Sequence, residues 1–415
     1  MTPEIKHRIE QIRRGEVPER YVKTALGLAP ANWKRYTFGD IYTERKEPGD
    51  ENLPLLMVSI HSGVSDGEVD AAELPKQVKR IEDKSQYKKA VSGDLVFNMM
   101  RAWQGAIGTA RTTGMVSPAY IVAEPNDKAY PLFMDYYSRT PQMINQIDRQ
   151  SYGVTDFRKR LYWDSFAPIS CTLPPIEEQQ KIATILTTQD RVIELKEKQL
   201  AEKQRQKKYL MQQLLTGKKR LPGFNGAWKT DCLGKLFFER KETNCENIEM
   251  LAITGTQGII PRKELDLKDN SSEDKSKYLR VCVGDIGYNT MRMWQGVSAY
   301  SNYEGIVSPA YTILKPSSSI NAKYFAYLFK MSEIVFLFYR FSQGLVDDTR
   351  NLKYENFKKI KVCYPPDMKE QTAIAEVLSA ADREIDLLRQ DIEQEKQKKK
   401  ALMQLLLTGI VRVKI

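Results

Sequence analysis

Pro174-Pro175-Ile176-Glu177-Glu178-Gln179-Gln180-Lys181-Ile182-Ala183 returns as Pro365-Pro366-Asp367-Met368-Lys369-Glu370-Gln371-Thr372-Ala373-Ile374-Ala375, with one residue inserted. From Glu178 and Glu370 onward the copies hold one offset, pairing Leu186 with Leu378, Asp190 with Asp382, Ile193 with Ile385 and Lys207 with Lys399. Both close alike, on Leu210-Met211-Gln212 then Leu214-Leu215-Thr216-Gly217, and on Leu402-Met403-Gln404 then Leu406-Leu407-Thr408-Gly409. Upstream, Asn98-Met99-Met100-Arg101-Ala102-Trp103-Gln104-Gly105 matches Asn289-Thr290-Met291-Arg292-Met293-Trp294-Gln295-Gly296, and Val116-Ser117-Pro118-Ala119-Tyr120 matches Val307-Ser308-Pro309-Ala310-Tyr311. Trp33-Lys34 and Arg45-Lys46 recur as Trp228-Lys229 and Arg240-Lys241. So many blocks agreeing in order exclude coincidence. A repeat of 20–50 residues builds a solenoid; one of nearly half of 415 residues joins two domain-sized units head to tail.

The quoted stretches open two long helices. Residues 177–216 lack Gly and Pro and are dense in Glu, Gln, Lys and Leu, all good helix formers. A Pro pair precedes each run and a Thr-Gly follows it, the asymmetry that helix termini favour. Leu186, Ile193, Leu200 and Leu214 lie on a seven-residue spacing interrupted at Lys207; Leu378, Ile385, Ile392 and Leu406 do the same around Lys399. The intermediate positions include Ile182 and Leu210, then Ile374, Leu388 and Leu402. This is a coiled-coil seam, on helices of roughly 60 Å. Two like helices separated by one globular unit can bury their stripes against each other, antiparallel. Basic residues crowd the C-terminal part of each, a placement that the helix dipole favours.

The intervening stretches, about 31–172 and 226–364, carry short β-branched or aromatic runs such as Leu95-Val96-Phe97, Ala119–Val122 and Tyr311–Leu314 among turn residues, which read as strands. Residues 130–147 and 322–338 have helical spacing, and residues 1–30 are polar and helical in character. The fold class is mixed α/β (α+β), two similar globular units alternating with two long helices. The expected boundaries are 1–172, 173–217, 218–364 and 365–415.

A net charge of +11, from 64 basic and 53 acidic residues, favours a polyanionic partner. Cys171, Cys232, Cys245, Cys282 and Cys363 form no CxxC pair, and no signal sequence precedes them; this fits reduced thiols in the cytoplasm. No window has the roughly 18 apolar residues of a membrane span. The histidines, His7 and His61, have no counterpart in the other copy, which argues against His-based triads and most zinc sites. Walker A and GxGxxG sequences are missing, and the one tempting acidic cluster, Asp347-Asp348, reads as a solvated loop. The expectation is a chain that is non-catalytic by itself, with no metal.

Two globular units alternating with near-identical helices, each headed by Pro-Pro and Glu-Gln and ended by Leu-Leu-Thr-Gly, resemble the specificity subunit of type I restriction-modification enzymes. The likeness covers nearly the whole chain. It implies that each unit is a target-recognition domain reading one half of a bipartite site in double-stranded DNA. The helices would act as a ruler for the gap, about half to one turn of B-DNA, and as a dock for two methylase subunits. A motor-nuclease subunit would complete the complex; S-adenosylmethionine, ATP and Mg²⁺ would belong to the partners. The family's pseudo-circular layout, in which the N-terminal segment completes what the C-terminus lacks, would accommodate a second helix block ending within six residues of Gly409.

Candidate DNA contacts follow from residue chemistry. Arg can hold guanine O6 and N7 with two bonds, and Asn or Gln can do so for adenine. Asn98, Arg101, Gln104 and their copies Asn289, Arg292, Gln295 qualify, together with the basic doublets Arg45-Lys46 and Arg240-Lys241. Residues identical in both units cannot make two half-sites differ. Discrimination is therefore expected where the copies diverge, at 59–87 against 254–278 and at 151–160 against 342–351. The competing expectation is a coiled-coil scaffold whose globular units bind proteins, without salt-dependent duplex binding.

Overall fold

The computed structural model describes residues 3–24, 27–50, 52–61, 63–66, 86–155, 158–245, 248–255, 257–265 and 274–414. The chain divides into two compact units, Met1–Leu195 with Ile392–Ile415, and Lys196–Asp391. Each long helix contributes one half to each unit, because each half packs against a different globular part.

In the first unit the central sheet contains β1 (Tyr42–Glu44), β2 (Leu95–Asn98), β3 (Ile107–Thr109) and β4 (Tyr120–Pro125), in the order β1-β4-β2-β3. The second unit repeats it with β5 (Phe237–Arg240), β6 (Ile286–Asn289), β7 (Ser298–Tyr300) and β8 (Tyr311–Pro316), in the order β5-β8-β6-β7. All these pairings are antiparallel. Leu95, Phe97 and Ile121 face a core with Phe38, Phe133 and Phe166; Val96 and Val122 face a smaller cluster under the hairpin Leu56–Ser59/Gly63–Asp66. That alternation is the two-sided burial expected of a strand covered on both faces.

The helical stretch expected after β4 breaks into Pro131–Tyr137 and Pro141–Arg149, since Thr140 caps the second helix and Pro141 cannot continue the first. The second unit answers with Ala322–Leu328 and Ser332–Phe341. The N-terminal segment departs from expectation. It is helical only over Pro3–Arg13, then turns at Gly15 (φ 78°) and forms a hairpin of Tyr21–Thr24 with Gly27–Pro30.

The long helices run Ile176–Leu214 and Met368–Leu407. Within the first unit, Gln189 donates to Glu395 at 2.6 Å and Lys399 pairs with Asp190 at 2.5 Å. Within the second, Lys196 pairs with Asp391 at 2.8 Å, Lys203 with Glu384 at 2.6 Å, and Lys207 with Asp382. Low numbers on one helix meet high numbers on the other, so the helices pack antiparallel. Ile182, Leu186, Ile193, Leu214, Ile374, Leu378, Ile385, Ile392 and Leu406 are buried, with Leu200, Leu210, Leu388 and Leu402 half-buried. The stripe does more than join two helices. Its outer positions enter the globular cores, Ile182, Leu186 and Leu406 in one unit and Leu214, Ile374 and Leu378 in the other.

The repeated helix heads have a structural cause. Gln179 accepts from the Tyr130 amide at 2.8 Å and donates to the Lys128 and Pro174 carbonyls; Gln371 accepts from Asn321 and donates to Pro365. Glu178, fully buried, is held bidentately by Arg412 at 2.6 and 2.7 Å. Glu370 is held by Arg220 at the same two distances. The helix ends are matched too. Gly217 and Gly409 both adopt a left-handed conformation (φ 71° and 70°), and a Cβ there would press on Trp228 and on Pro30 and Trp33, respectively.

Candidate nucleic-acid interface

β2 ends at Asn98, and the chain must reverse into β3 within eight residues. The Asn98 side-chain oxygen accepts from the Met100 amide at 2.9 Å, while Trp103 donates its indole N–H to the Met100 carbonyl at 3.0 Å. A single 3₁₀ turn, Ala102–Gln104, follows on a buried Ala102 and ends at Gly105 in a left-handed conformation (φ 103°). The second unit builds the same turn: Asn289 accepts from Met291 at 3.0 Å, Trp294 donates to its carbonyl at 2.9 Å, and Met293–Gln295 ends on Gly296 (φ 80°). Asn and Trp thus spend polar groups on the backbone, and the turn holds two outward side chains. Arg101 and Gln104, like Arg292 and Gln295, are exposed. Neither arginine makes an ion pair among the described residues.

The turn leans on one of the divergent segments. The Leu161 amide donates to the Met99 carbonyl at 2.9 Å, and Leu352 donates to Thr290 at 2.8 Å. These bonds place the loops 151–160 and 342–351 beside the turn. Each loop lays a cation on the turn's tryptophan: Lys159 lies 4.8 Å above the Trp103 ring, and Arg350 lies 6.0 Å from Trp294 and 4.1 Å from Tyr339. Sequence reasoning did not single out Lys159 or Arg350. The signal was a basic residue in the same divergent loop of both copies. Asp347 pairs with Arg350 at 3.4 Å, which accounts for that acid as part of the loop.

Arg45 and Arg240 lie elsewhere in chemical terms. The Arg45 guanidinium is about one-tenth exposed and bonded to Asp94 at 2.7 Å, Glu47 at 2.5 Å and Glu124 at 3.2 Å. Arg240 is held by Asp285 at 2.7 Å and Glu242 at 2.5 Å. The buried aspartates raise the pKa of both guanidinium groups. Their recurrence reflects a shared internal ion pair across the sheet. Lys46 and Lys241 are exposed, each beside an acid of its own strand, Glu44 at 3.2 Å and Glu239 at 3.0 Å. β4 separates β1 from β2, so the doublet does not join the turn.

Of the other divergent pair, residues 62, 67–85, 256 and 266–273 lie outside the described residues. Their described flanks are equivalent hairpins, Leu56–Ser59/Gly63–Asp66 and Leu251–Thr254/Gly258–Pro261. No helix among the described residues is long and apolar enough to cross a membrane, and none of those residues forms a metal-binding cluster of His, Cys, Asp or Glu.

Two copies of one α+β unit, each holding one half of both long helices, fit one family: residues 77–205 and 234–397 match the type I restriction modification DNA specificity domain. The chain belongs to the type I restriction-modification specificity subunits. It is similar to the putative type I restriction enzyme MjaX specificity subunit of Methanocaldococcus jannaschii, 24% identical over 95% of this chain and 97% of that one. Among solved structures, the type I restriction-modification S subunit from M. genitalium shares the fold at 12% identity and a TM-score of 0.54, covering 90% of this chain and 96% of that one. A chain from a structure titled for complex assembly and conformational transition of the type I R-M system does so at 18% identity and 0.52, covering 92% and 99%.

Proposed function

We propose that this specificity subunit binds double-stranded DNA through its two globular units, each reading one half of a bipartite target. The observation that carries the proposal is the paired turn. Two equivalent Arg/Gln loops are held by their own Asn and Trp, and both arginines lack an ion pair among the described residues while Arg45 and Arg240 are consumed internally. Because Arg and Gln are the same in both turns, they hold phosphate or read a base common to both halves. Lys159, Arg350 and the loops that carry them supply the difference.

In this reading the helix pair sets the gap and docks two methylase subunits, and a motor-nuclease subunit completes the complex. The chain itself performs no chemistry; S-adenosylmethionine, ATP and Mg²⁺ act on the partners, in the cytoplasm. The first test is base-resolved methylation of genomic DNA from cells carrying the adjacent methylase gene, with and without this chain. A split motif with a fixed gap is expected; methylation unchanged without the chain would end the proposal. Arg101→Ala or Arg292→Ala is expected to weaken duplex binding by ~1–3 kcal/mol and to flatten the salt dependence by about one unit of slope, with melting unchanged. Arg45→Ala should instead lower the melting temperature, because it leaves Asp94 buried without its partner.

A further inference from the structure

The two interruptions of the apolar seam occupy equivalent places. Lys207, flanked on its stripe by Leu200 and Leu214, reaches Asp382 on the other helix; Lys399, flanked by Ile392 and Leu406, reaches Asp190 at 2.5 Å. In each case a tyrosine of the globular part closes the group. Tyr327 donates to Asp382 at 2.7 Å and Tyr136 donates to Asp190 at 2.5 Å. The lysine ammonium also lies over the same ring, 5.6 Å from the Tyr327 centroid and 5.4 Å from that of Tyr136. Burial and the neighbouring carboxylate raise both phenols, keeping them as donors.

Three further polar pairs across the helices differ between the copies. One unit has Gln189 with Glu395; the other has Lys196 with Asp391 and Lys203 with Glu384. The Lys–Asp–Tyr groups, in contrast, are the same in both. An ion pair at a seam position is rarely more stable than leucine, and its best-attested benefit is registry. A lysine alone could slide to another acid on the facing helix. The tyrosine prevents this, because it fixes which aspartate the lysine finds.

We propose that these two Lys–Asp–Tyr groups pin the register of the helix pair to the globular units and so fix the gap at which the two half-sites are read. This rests on the DNA-reading role above. One heptad of slip is about 10.5 Å along a helix, or roughly three base pairs of B-DNA. A pin at that level decides the gap.

The test uses the full chain with its methylase and duplexes carrying the mapped half-sites at gaps from three base pairs shorter to three longer. The quadruple variant Lys207→Leu, Asp382→Leu, Lys399→Leu, Asp190→Leu makes the seam apolar throughout. It is expected to melt cooperatively at or above the wild-type temperature, while its preference for the native gap over neighbouring gaps falls at least tenfold. Lys207→Arg with Lys399→Arg should keep that preference. An intact melt with undiminished gap preference overturns the proposal. Should the quadruple variant fail to fold, Tyr136→Phe with Tyr327→Phe leaves both helix–helix ion pairs in place. A lowered gap preference there supports the pin, and an unchanged one overturns it. A wild-type protein with no gap preference would instead remove the DNA-reading role.

Discussion

Glu178 and Glu370 hold the same arrangement in chains of different connectivity. In the second unit, the arginine that grips Glu370 arrives along continuous chain: Gly217 ends the helix, Arg220 follows three residues later, and Trp228 stacks beneath it at 5.7 Å. In the first unit, the equivalent Arg412 arrives at the end of the second helix and the equivalent Trp33 comes from the N-terminal segment. No peptide joins them. Hydrogen bonds replace it: Tyr21 donates to the Gly409 carbonyl at 2.6 Å, Arg8 to Ile410 at 2.9 Å, and Arg412 to Asn32 at 3.0 Å, where Arg220 uses Gly226 at 2.9 Å. The comparison teaches that the junction depends on the buried carboxylate and its cation, and that the covalent link is dispensable.

The largest test of this equivalence removes the acid. Glu178→Ala and Glu370→Ala should each destabilise their own unit by about 3–5 kcal/mol, because two charge-assisted hydrogen bonds to a buried carboxylate are lost; chemical denaturation of each variant measures this. Markedly unequal losses would show that the peptide link carries part of the load in the second unit.

A second test concerns a place where the units differ. Asp135 in the first unit is bonded by Arg111 at 2.6 Å and Arg139 at 3.6 Å. The second unit has Ala326, Asn302 and Lys330 at these positions, and the space opens into a cavity of about 600 Å³. Among the described residues the Lys330 ammonium bonds only carbonyls, of Gly296 at 2.8 Å and Ser298 at 2.6 Å, and burial pulls its pKa down to about 8. The unfolded chain then binds more protons than the folded one between about pH 8 and the ordinary lysine value of 10.5. Stability should rise with pH across that window, by about 3 kcal/mol at most. Lys330→Met should abolish this rise when denaturation curves are compared from pH 7.5 to 10.5. Arg139→Met, at the equivalent position of the first unit, should leave the slope unchanged.

The smallest effect is expected from a cut. Pro222, Gly223, Asn225 and Gly226 are exposed. A protease nick at 222–226 gives the second unit the connectivity the first already has. The fragments should stay together on gel filtration, with stability changed by less than about 1 kcal/mol. Dissociation of the fragments would break the comparison outright.

The seam and the helix bounds were legible because a seven-residue spacing and a Pro-to-Gly frame are local signals. Strands β2, β4 and β8 were legible as short apolar runs. The hairpin at 21–30 was not, since two four-residue strands in a polar segment carry no period. Lys207 and Lys399 were visible as interruptions, yet their meaning depends on an aspartate of the facing helix and a tyrosine of the globular part, which no spacing reveals. Arg45 and Arg240 were misread for an instructive reason. A repeated arginine marks a shared need, and the internal pairs with Asp94 and Asp285 are such a need. Arg101 and Arg292 recur as faithfully but face outward, a distinction that lies in burial alone.

The glutamate–glutamine heads of the two helices have a further consequence. Gln179 and Gln371 each receive their globular part through a backbone amide, and Gln179 through the Lys128 carbonyl as well. At these glutamines the bond depends on the course of the main chain and not on which side chain the globular part carries there. Exchange of one globular part for another of the same backbone course would therefore leave these bonds at the helix heads undisturbed.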